Sequence, residues 1–516
     1  MRLEDGQALS VTDPREEAGA GGRVNVLIRP ESLTVHTGDT VTGDAAGEAA
    51  ARISRLRGSV TEVQYLGASA NVVVDLPGAG RLTAAVSGGP ATSLPAPRRP
   101  RDRHRPGRGV PGARRLTSPL ARPPPRNPRI PTKEVERAMS LKVVVVGAGV
   151  MGAAMAAELA RHGCSVTVLD SGAPASGTSG ATFSWTNSNN KTPRSYHDLN
   201  VEGLRAHRRL AQEAASCDWY HERGNLEWKA DPAARENQRR KAERLTDWGY
   251  PVRWLEPSQA RELEPDLAAG KIDGPVAYYP EEGWVDPVPL VRALLSSARA
   301  AGAEVRPHSA VVGMPMAGDR VTGVTTADGE TVRADAVVDC AGPRAAEVAA
   351  LAGVELPMRN SAGLLAYTAP TAVSVGRVIH APGVHLRPDG AGRLLLHDPS
   401  LDDAVSGGGN GSWDVEPGAA ETLLRRTEEL YPGFRGTRIE ATRVGLRPIP
   451  VDGLPVLGRS ATADGLFLAV THSGATLCLR VAELVGAEIR GERVDELEPF
   501  RHGRARQDAA TTRGAS

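Results

Sequence analysis

Three glycines and one acid carry the first chemical signal in this chain. Gly147, Gly149 and Gly152 form a G-x-G-x-x-G pattern around Ala148, Val150 and Met151, and Asp170 with Ser171 follows. The first glycine of such a pattern permits a tight turn. The second lets backbone approach a pyrophosphate, and the third lets a helix pack closely on a strand. A helix that opens on these glycines presents free N–H groups and a partial positive charge to phosphates. An acid about 20 residues further on accepts a ribose hydroxyl. The implied chemistry is dinucleotide binding.

The elements needed to position these residues are present in order. Leu141 to Val146 is a β-branched apolar run suited to a buried parallel strand, Ala153 to Arg161 reads as a helix, and Val166 to Leu169 reads as a second strand. Residues 143–157 are apolar enough to raise a membrane helix as an alternative. Three glycines within six residues weaken that reading, and Glu158, Arg161 and His162 interrupt the run before the ~20 residues a span requires. The remainder reads as α/β. Residues 205–265 contain Arg- and Glu-rich helical segments, and six of the seven tryptophans fall within 185–284, as expected of a lid or substrate domain. Residues 286–305 form a helix leading to a strand, Ala327-Asp328-Gly329 a hairpin turn, Ala336 to Cys340 a buried strand, and GLFLAV with THSGATL the closing strand and helix.

Upstream, residues 1–95 alternate polar and apolar residues between glycine-rich turns, the pattern of a small antiparallel β-barrel or sandwich. VNVLIRPESLTV followed by GSVTEVQYLG resembles the TOBE domain of ATP-binding subunits of ABC transporters, particularly the polyamine type, over about residues 6–90. The resemblance implies a link to an ABC transporter system. No G-x-x-x-x-G-K-[ST] occurs, so ATP hydrolysis is not implied. Residues 96–138 are Pro/Arg-rich and too poor in apolar residues to order on their own. A disordered linker, a basic arm and a junction of two reading frames are all compatible with them, and Met139 stands where an independent enzyme would start.

Residues 96–139 carry twelve Arg and one Lys against three acids, a local charge of +10, so the whole-chain +1 leaves −9 elsewhere. Nothing in this balance suggests a nucleic-acid partner. Cys164, Cys217, Cys340 and Cys478 form no C-x-x-C pair, and His380, His385 and His397 show no metal-ligand spacing, so no metal is expected. Without a signal peptide or membrane span, the expected location is cytoplasmic.

From Leu141 to about Gly503 the fingerprint, GTSGA, WVDP, VVDCAGPRA, GLRPIPVDGLPVLG and THSGATL together resemble the FAD-dependent amine and amino-acid oxidoreductases, the family of D-amino-acid oxidase, glycine oxidase and sarcosine oxidase. The resemblance implies that Gly177, Thr178, Ser179 and Ala181 lie along the FAD, that Val311 meets the adenine through its backbone, and that Ala341 and Gly342 pass near the pyrophosphate. It places Ser473, Gly474, Ala475 and Thr476 near the flavin. His472 departs from the usual pattern, which leaves its role open. Gly445 and Leu446 stand where covalently linking members carry cysteine, so the FAD is expected to be non-covalent. Arg447 is expected to hold a substrate carboxylate, for which two parallel N–H donors are well matched, with an ion pair inside the fold as the other reading. Tyr367 is a candidate substrate hydroxyl or a core tyrosine. Lys191 and His197 either approach the flavin, where an amine assists oxygen, or are a solvated lysine and its neighbour.

The expected fold is thus a Rossmann-type FAD-binding domain (141–204, 286–350 and 440–503) with an inserted α+β substrate domain (205–285 and 351–439), a small all-β N-terminal domain, and a disordered tail at 504–516. The expected function is oxidation of a C–N bond in an amino acid or related amine by hydride transfer to flavin. Imine hydrolysis follows, with oxygen or another electron acceptor. The alternative is a transport-associated ligand-binding protein with an inert flavin domain.

Overall fold

The computed structural model describes residues 141–504 except 215 and 408–411, together with the backbone of three strands between 59 and 87. The linker expected at 96–138 and the tail from 505 lie outside the described residues. Among residues 1–95, the strands Ser59–Leu66, Ser69–Leu76 and Gly80–Ser87 pair as an antiparallel meander, and the rest of the expected barrel-like domain also lies outside the described residues.

The valine run Lys142–Val146 is a central strand of a six-stranded sheet. Its neighbours run in the order Glu304–Arg306, Ser165–Leu169, Lys142–Val146, Ala336–Asp339, Leu466–Val470 and Val456–Arg459, all parallel except the last. Side chains alternate across a strand, so Val143 and Val145 enter one core with Met155, Leu159, Leu290 and Val481. Val144 and Val146 enter another core with Val324, Val337, Val348 and Leu468. A strand covered on both faces explains why the sequence shows an unbroken apolar run rather than an alternation. It also excludes the membrane-helix reading of residues 143–157. Among the described residues, no helix is long and apolar enough to cross a membrane.

Between this strand and the helix Val150–Arg161 the chain turns sharply. Gly147 has φ +105°, and a Cβ there would lie 2.5 Å from the Cys340 carbonyl oxygen. Its N–H donates to the Leu169 carbonyl at 2.7 Å, which closes the turn onto the next strand. A Cβ on Gly152 would sit 1.8 Å from the Gly147 carbonyl oxygen. The first and third glycines are therefore required by sterics.

A second, eight-stranded sheet runs in the order Ile439–Arg447, Ser361–Thr368, Leu394–His397, Val384–Pro388, Val378–Ala381, Asn225–Glu227, Val276–Tyr279 and Arg253–Leu255. One face carries Leu226, Leu364, Ala366, Ile379, Leu386 and Leu396 into a core with Leu423, Tyr431 and Phe434. On the other face Ser361, Gly363 and Leu365 line a cavity. The strand Ile439–Arg447 opens the span from 440 that the sequence reading grouped with the cofactor-binding segments. It belongs to this second sheet because it pairs antiparallel along Ser361–Thr368, from Ser361↔Arg447 to Thr368↔Ile439.

Gly152→Ala tests the turn. Forcing one methyl against backbone costs about 1–3 kcal/mol, so the variant is expected to unfold at lower urea and to purify with less bound cofactor. Unchanged stability and cofactor content would show that the turn tolerates a side chain.

Candidate functional site

One cavity of about 1320 Å³ runs from the glycine turn to the open face of the second sheet. That exceeds the ~300–1,000 Å³ usual for a single small-molecule site and leaves room for a dinucleotide and a second ligand. Gly147, Gly149, Val150, Met151, Asp170, Ser171, Thr178, Ser179, Ala181, Val311, Ala341, Gly342, Gly445, Arg447, Ser473, Gly474, Ala475, Thr476 and Lys191 all line it.

Two candidate cofactor residues do not reach the wall and act behind it. Gly152 is the close packing point already described. Ala148 donates its N–H to Asp170 Oδ2 at 2.6 Å, while Asp170 Oδ1 accepts from the Gly172 N–H at 2.7 Å. Each carboxylate oxygen keeps a further lone pair, so Asp170 both braces the turn and remains able to accept a ribose hydroxyl. Ser179 Oγ accepts the Val150 N–H at 3.0 Å at the helix start. Thr178 donates to the Leu446 carbonyl at 2.6 Å, and a Cβ on Gly445 would lie 2.0 Å from the Ala181 carbonyl, so the 178–181 turn is pressed against the edge strand. Opposite, the helix Gly474–Ile489 opens onto the cavity with its first-turn N–H groups. Its start is held by Tyr196, whose hydroxyl meets Ser473 Oγ at 2.7 Å. A turn with glycine at 147 and 149 on the wall, two helix N-termini and an acid in register fit a dinucleotide diphosphate and ribose.

At the far end Arg447 faces the cavity with its guanidinium committed. Nη1 donates to Asp402 Oδ2 at 2.7 Å and to the Ala362 carbonyl at 3.0 Å, while Nη2 donates to Asp402 Oδ1 at 3.2 Å and approaches His397 Nε2 at 3.4 Å. The ion-paired alternative therefore describes the arrangement seen, and the residue also stands at the ligand end of the cavity. Tyr367 does not reach the wall: its half-buried ring lies under the Arg443 guanidinium, 5.3 Å from the ring centroid. Nor does His197, which is buried against Trp248 and Tyr250 with Nδ1 2.8 Å from Ser188 Oγ.

Sequence reasoning missed several wall residues. Asp402 is one, and Glu227 is another. Glu227 accepts from Lys241 at 2.6 Å and Lys229 at 2.9 Å. Burial works against its charge, yet the two lysines prevail and hold its carboxyl below the usual range. His380, His385 and His397 all line the cavity. Each sits in a separate apolar strand, VIHA, VHLRP or LLLH, and only the pairing register aligns them. Behind the wall, the wholly buried Glu282 carboxylate accepts from Trp185 Nε1 at 3.1 Å, Asn189 Nδ2 at 3.1 Å, Asn225 Nδ2 at 3.0 Å and the Tyr250 hydroxyl at 2.7 Å.

Burial also sets the charge states. His472 presents its ring to the cavity, so it is solvent-accessible yet surrounded by protein. Desolvation, with Lys191 and Arg447 nearby, lowers it to about 4. Lys191 falls to about 8 through desolvation, opposed by Glu282. Among the described residues, no group of His, Cys, Asp and Glu is arranged to hold a metal ion.

The profile of a family described as FAD dependent oxidoreductase matches residues 142–488, and that of the TOBE domain matches residues 26–103. A glycine oxidase of Geobacillus kaustophilus is 30% identical over 374 residues, covering 69% of this chain and 95% of the relative. A glycine oxidase of Pseudomonas aeruginosa is 30% identical over 344 residues, covering 65% and 90%. The crystal structure of glycine oxidase from Geobacillus kaustophilus aligns with a TM-score of 0.62 at 25% identity, over 71% of this chain and 99% of that one. L-proline dehydrogenase from P. horikoshii, 19% identical, shares the fold with a TM-score of 0.62 over 72% and 98%.

The neutral histidines predict an acid-labile fold. His207, His385 and His472 titrate near 4, and His380 and His397 are also lowered, in each case chiefly by burial. Between about 4 and 6.5 the unfolded chain binds more protons at these sites, so stability rises with pH through that window. Four acids raised by burial act in the opposite sense, Glu282 and Asp339 to about 7 together with Glu264 and Asp389, against six histidines once His197, also lowered by burial, is included. The urea midpoint is expected to climb from pH 4 to pH 6.5; a midpoint that falls over that range would show that the buried acids dominate.

Proposed function

Because the chain belongs to the FAD-dependent oxidoreductases, acting on amines or amino acids, we propose that it oxidises the C–N bond of an amino acid whose carboxylate is held by Arg447. The observation that carries this reading is one continuous cavity, with a diphosphate-binding turn at one end and a guanidinium at the other. The glycine turn, Asp170 and the start of the helix Gly474–Ile489 would hold FAD non-covalently, and the cofactor would supply the two-electron acceptor for oxidation at the carbon beside nitrogen.

The chain's own residues supply binding and orientation. Arg447 can present a two-pronged donor only if the incoming carboxylate takes the place of Asp402, since both terminal nitrogens are already engaged. Asp402 thus holds the fork in shape before substrate arrives and yields it on binding. The exchange replaces one carboxylate with another, so the half-buried guanidinium is never left unpaired. No side-chain base is assigned: a substrate bound as the free amine needs none, and His472 is held neutral beside it. The resulting imine hydrolyses in water to an oxo-acid and an amine or ammonia. Lys191 stands on the wall as an amine whose charge is lost near pH 8, suited to favouring the negative charge that develops when oxygen is the acceptor.

Purified protein is expected to be yellow and to bleach anaerobically with amino acids or N-alkyl amino acids; a colourless protein that cannot be reconstituted with FAD would overturn the reading. Loss of two charge-assisted hydrogen bonds corresponds to on the order of 100-fold in affinity. Arg447→Met should therefore keep its flavin while the dissociation constant of a carboxylate inhibitor rises by that factor, and Asp402→Asn should lower it. An unchanged constant in Arg447→Met would refute the carboxylate role. In the parent, oxygen should reoxidise reduced flavin more slowly as pH rises through 8. Lys191→Met should be slow throughout and lack that titration, whereas a parent-like profile would remove Lys191 from the oxidative step.

A further inference from the structure

The open face of the second sheet carries a row of side chains in direct register. Glu227 pairs with His380 across parallel strands, and His380 pairs with His385, and His385 with His397, across antiparallel ones. All four line the cavity. The imidazole centroids of His380 and His385 lie 4.3 Å apart, and those of His385 and His397 lie 6.0 Å apart.

Hydrogen-bond bookkeeping fixes what each ring offers. Asn225 donates through Nδ2 to Glu282, so its Oδ1 is the acceptor facing His380 Nδ1 at 2.8 Å. His380 therefore carries its proton on Nδ1 and presents Nε2 as a bare acceptor. His397 donates from Nδ1 to the Leu364 carbonyl at 3.1 Å, and its Nε2 faces the Arg447 donor, so both nitrogens are engaged. His385 has ring contacts, but among the described residues no hydrogen bond reaches its nitrogens. A neutral His385 must donate from one nitrogen and accept at the other. The adjacent pair thus offers one fixed acceptor and one free donor, flanked by Trp185 at 4.1 Å and Phe183 at 6.1 Å from the His380 ring.

We propose that His380 and His385 form a hydroxyl-binding subsite, which selects amine substrates bearing a hydroxylated arm beyond the end held by Arg447. The proposal rests on the amine-oxidising reading given above. A hydroxyl is the small group that donates to His380 Nε2 and accepts from His385 at once. A carboxylate has no proton for Nε2. A methyl leaves both rings unpaired in a buried wall, where an unmade hydrogen bond is costly. Burial holds both rings neutral, as this pairing requires. Trp185 and Phe183 supply an apolar sleeve for the carbons of the arm. Lys229 and Lys241 are both spent on Glu227, so they do not turn the row into an anion site.

The test uses the flavin-loaded full chain and three probes of similar length: N-(2-hydroxyethyl)glycine, N-propylglycine and N-(carboxymethyl)glycine. Sites built to bind a hydroxyl reject analogues that lack it by large factors, so N-(2-hydroxyethyl)glycine is expected to exceed N-propylglycine in kcat/KM by on the order of 100-fold or more. His385→Phe should bring that ratio near one. His385→Gln, which keeps a donor and an acceptor, should retain most of it. Flavin content and melting temperature check that both variants fold. Equal kcat/KM for the hydroxyethyl and propyl probes, preference for the carboxymethyl probe, or a ratio unmoved by His385→Phe would overturn the subsite and leave amine oxidation intact. Failure of every probe and of the wider amino-acid screen to bleach the flavin would overturn both.

Discussion

The buried Glu282 carboxylate is the interaction on which the ligand end of the cavity depends. Its four donors come from the 185–189 loop, from the strand Asn225–Glu227 and from Tyr250. A buried charge is tolerated only when it is paired or fully hydrogen-bonded. Burial pushes this carboxyl up to about 7 even with Tyr250 and Asn225 bonded to it, so the balance is close. The consequences spread outward. Trp185 is positioned over His380, the Asn225 amide is fixed in one orientation, and the His380 proton is thereby placed on Nδ1. The negative charge also offsets part of the desolvation of Lys191. One carboxylate thus sets a loop, a tautomer and the charge of an amine.

The cofactor end depends on sterics instead. Two packed faces of a parallel sheet fix the position of the valine strand, and the chain leaving it must reach the helix with no side chain at Gly147 or Gly152. Such a constraint is local in sequence. The demands of strand, turn and helix fall within about 20 residues, which is why they appear as a motif. Asp170 illustrates the boundary of that legibility. Its position was readable, but its bonds to the Ala148 and Gly172 N–H groups emerge only when the second strand lies beside the first.

What the sequence concealed was set by register. A histidine in each of three apolar strands looks like three unrelated packing residues, because pairing partners are not written along the chain. One residue of slip would turn any of them to the opposite face. The sheet to which Ile439–Arg447 belongs was hidden for the same reason, since its partner Ser361–Thr368 is distant in sequence. Tyr367 shows the complement. It belongs to the strand that contributes Ser361, Gly363 and Leu365 to the cavity, yet its ring is drawn under Arg443 instead. Arg447 was legible as a chemical type, but its partner Asp402 was not, because that acid arrives on the separate turn Pro399–Ala404.

That pairing sharpens what selectivity can mean in this cavity. If Arg447 were free, a carboxylate of almost any ligand would gain from it. With Asp402 in place, an incoming carboxylate must displace one ion pair to make another, so it gains less than a free guanidinium would give, and every carboxylate gains alike. Discrimination must then come from the remainder of the ligand, which meets neutral imidazoles whose hydrogen bonds are directional. A wall of directional donors and acceptors penalises an unmatched group more than it rewards a matched one. The ion pair supplies orientation, and the histidine row is the part of the surface able to tell one ligand from another.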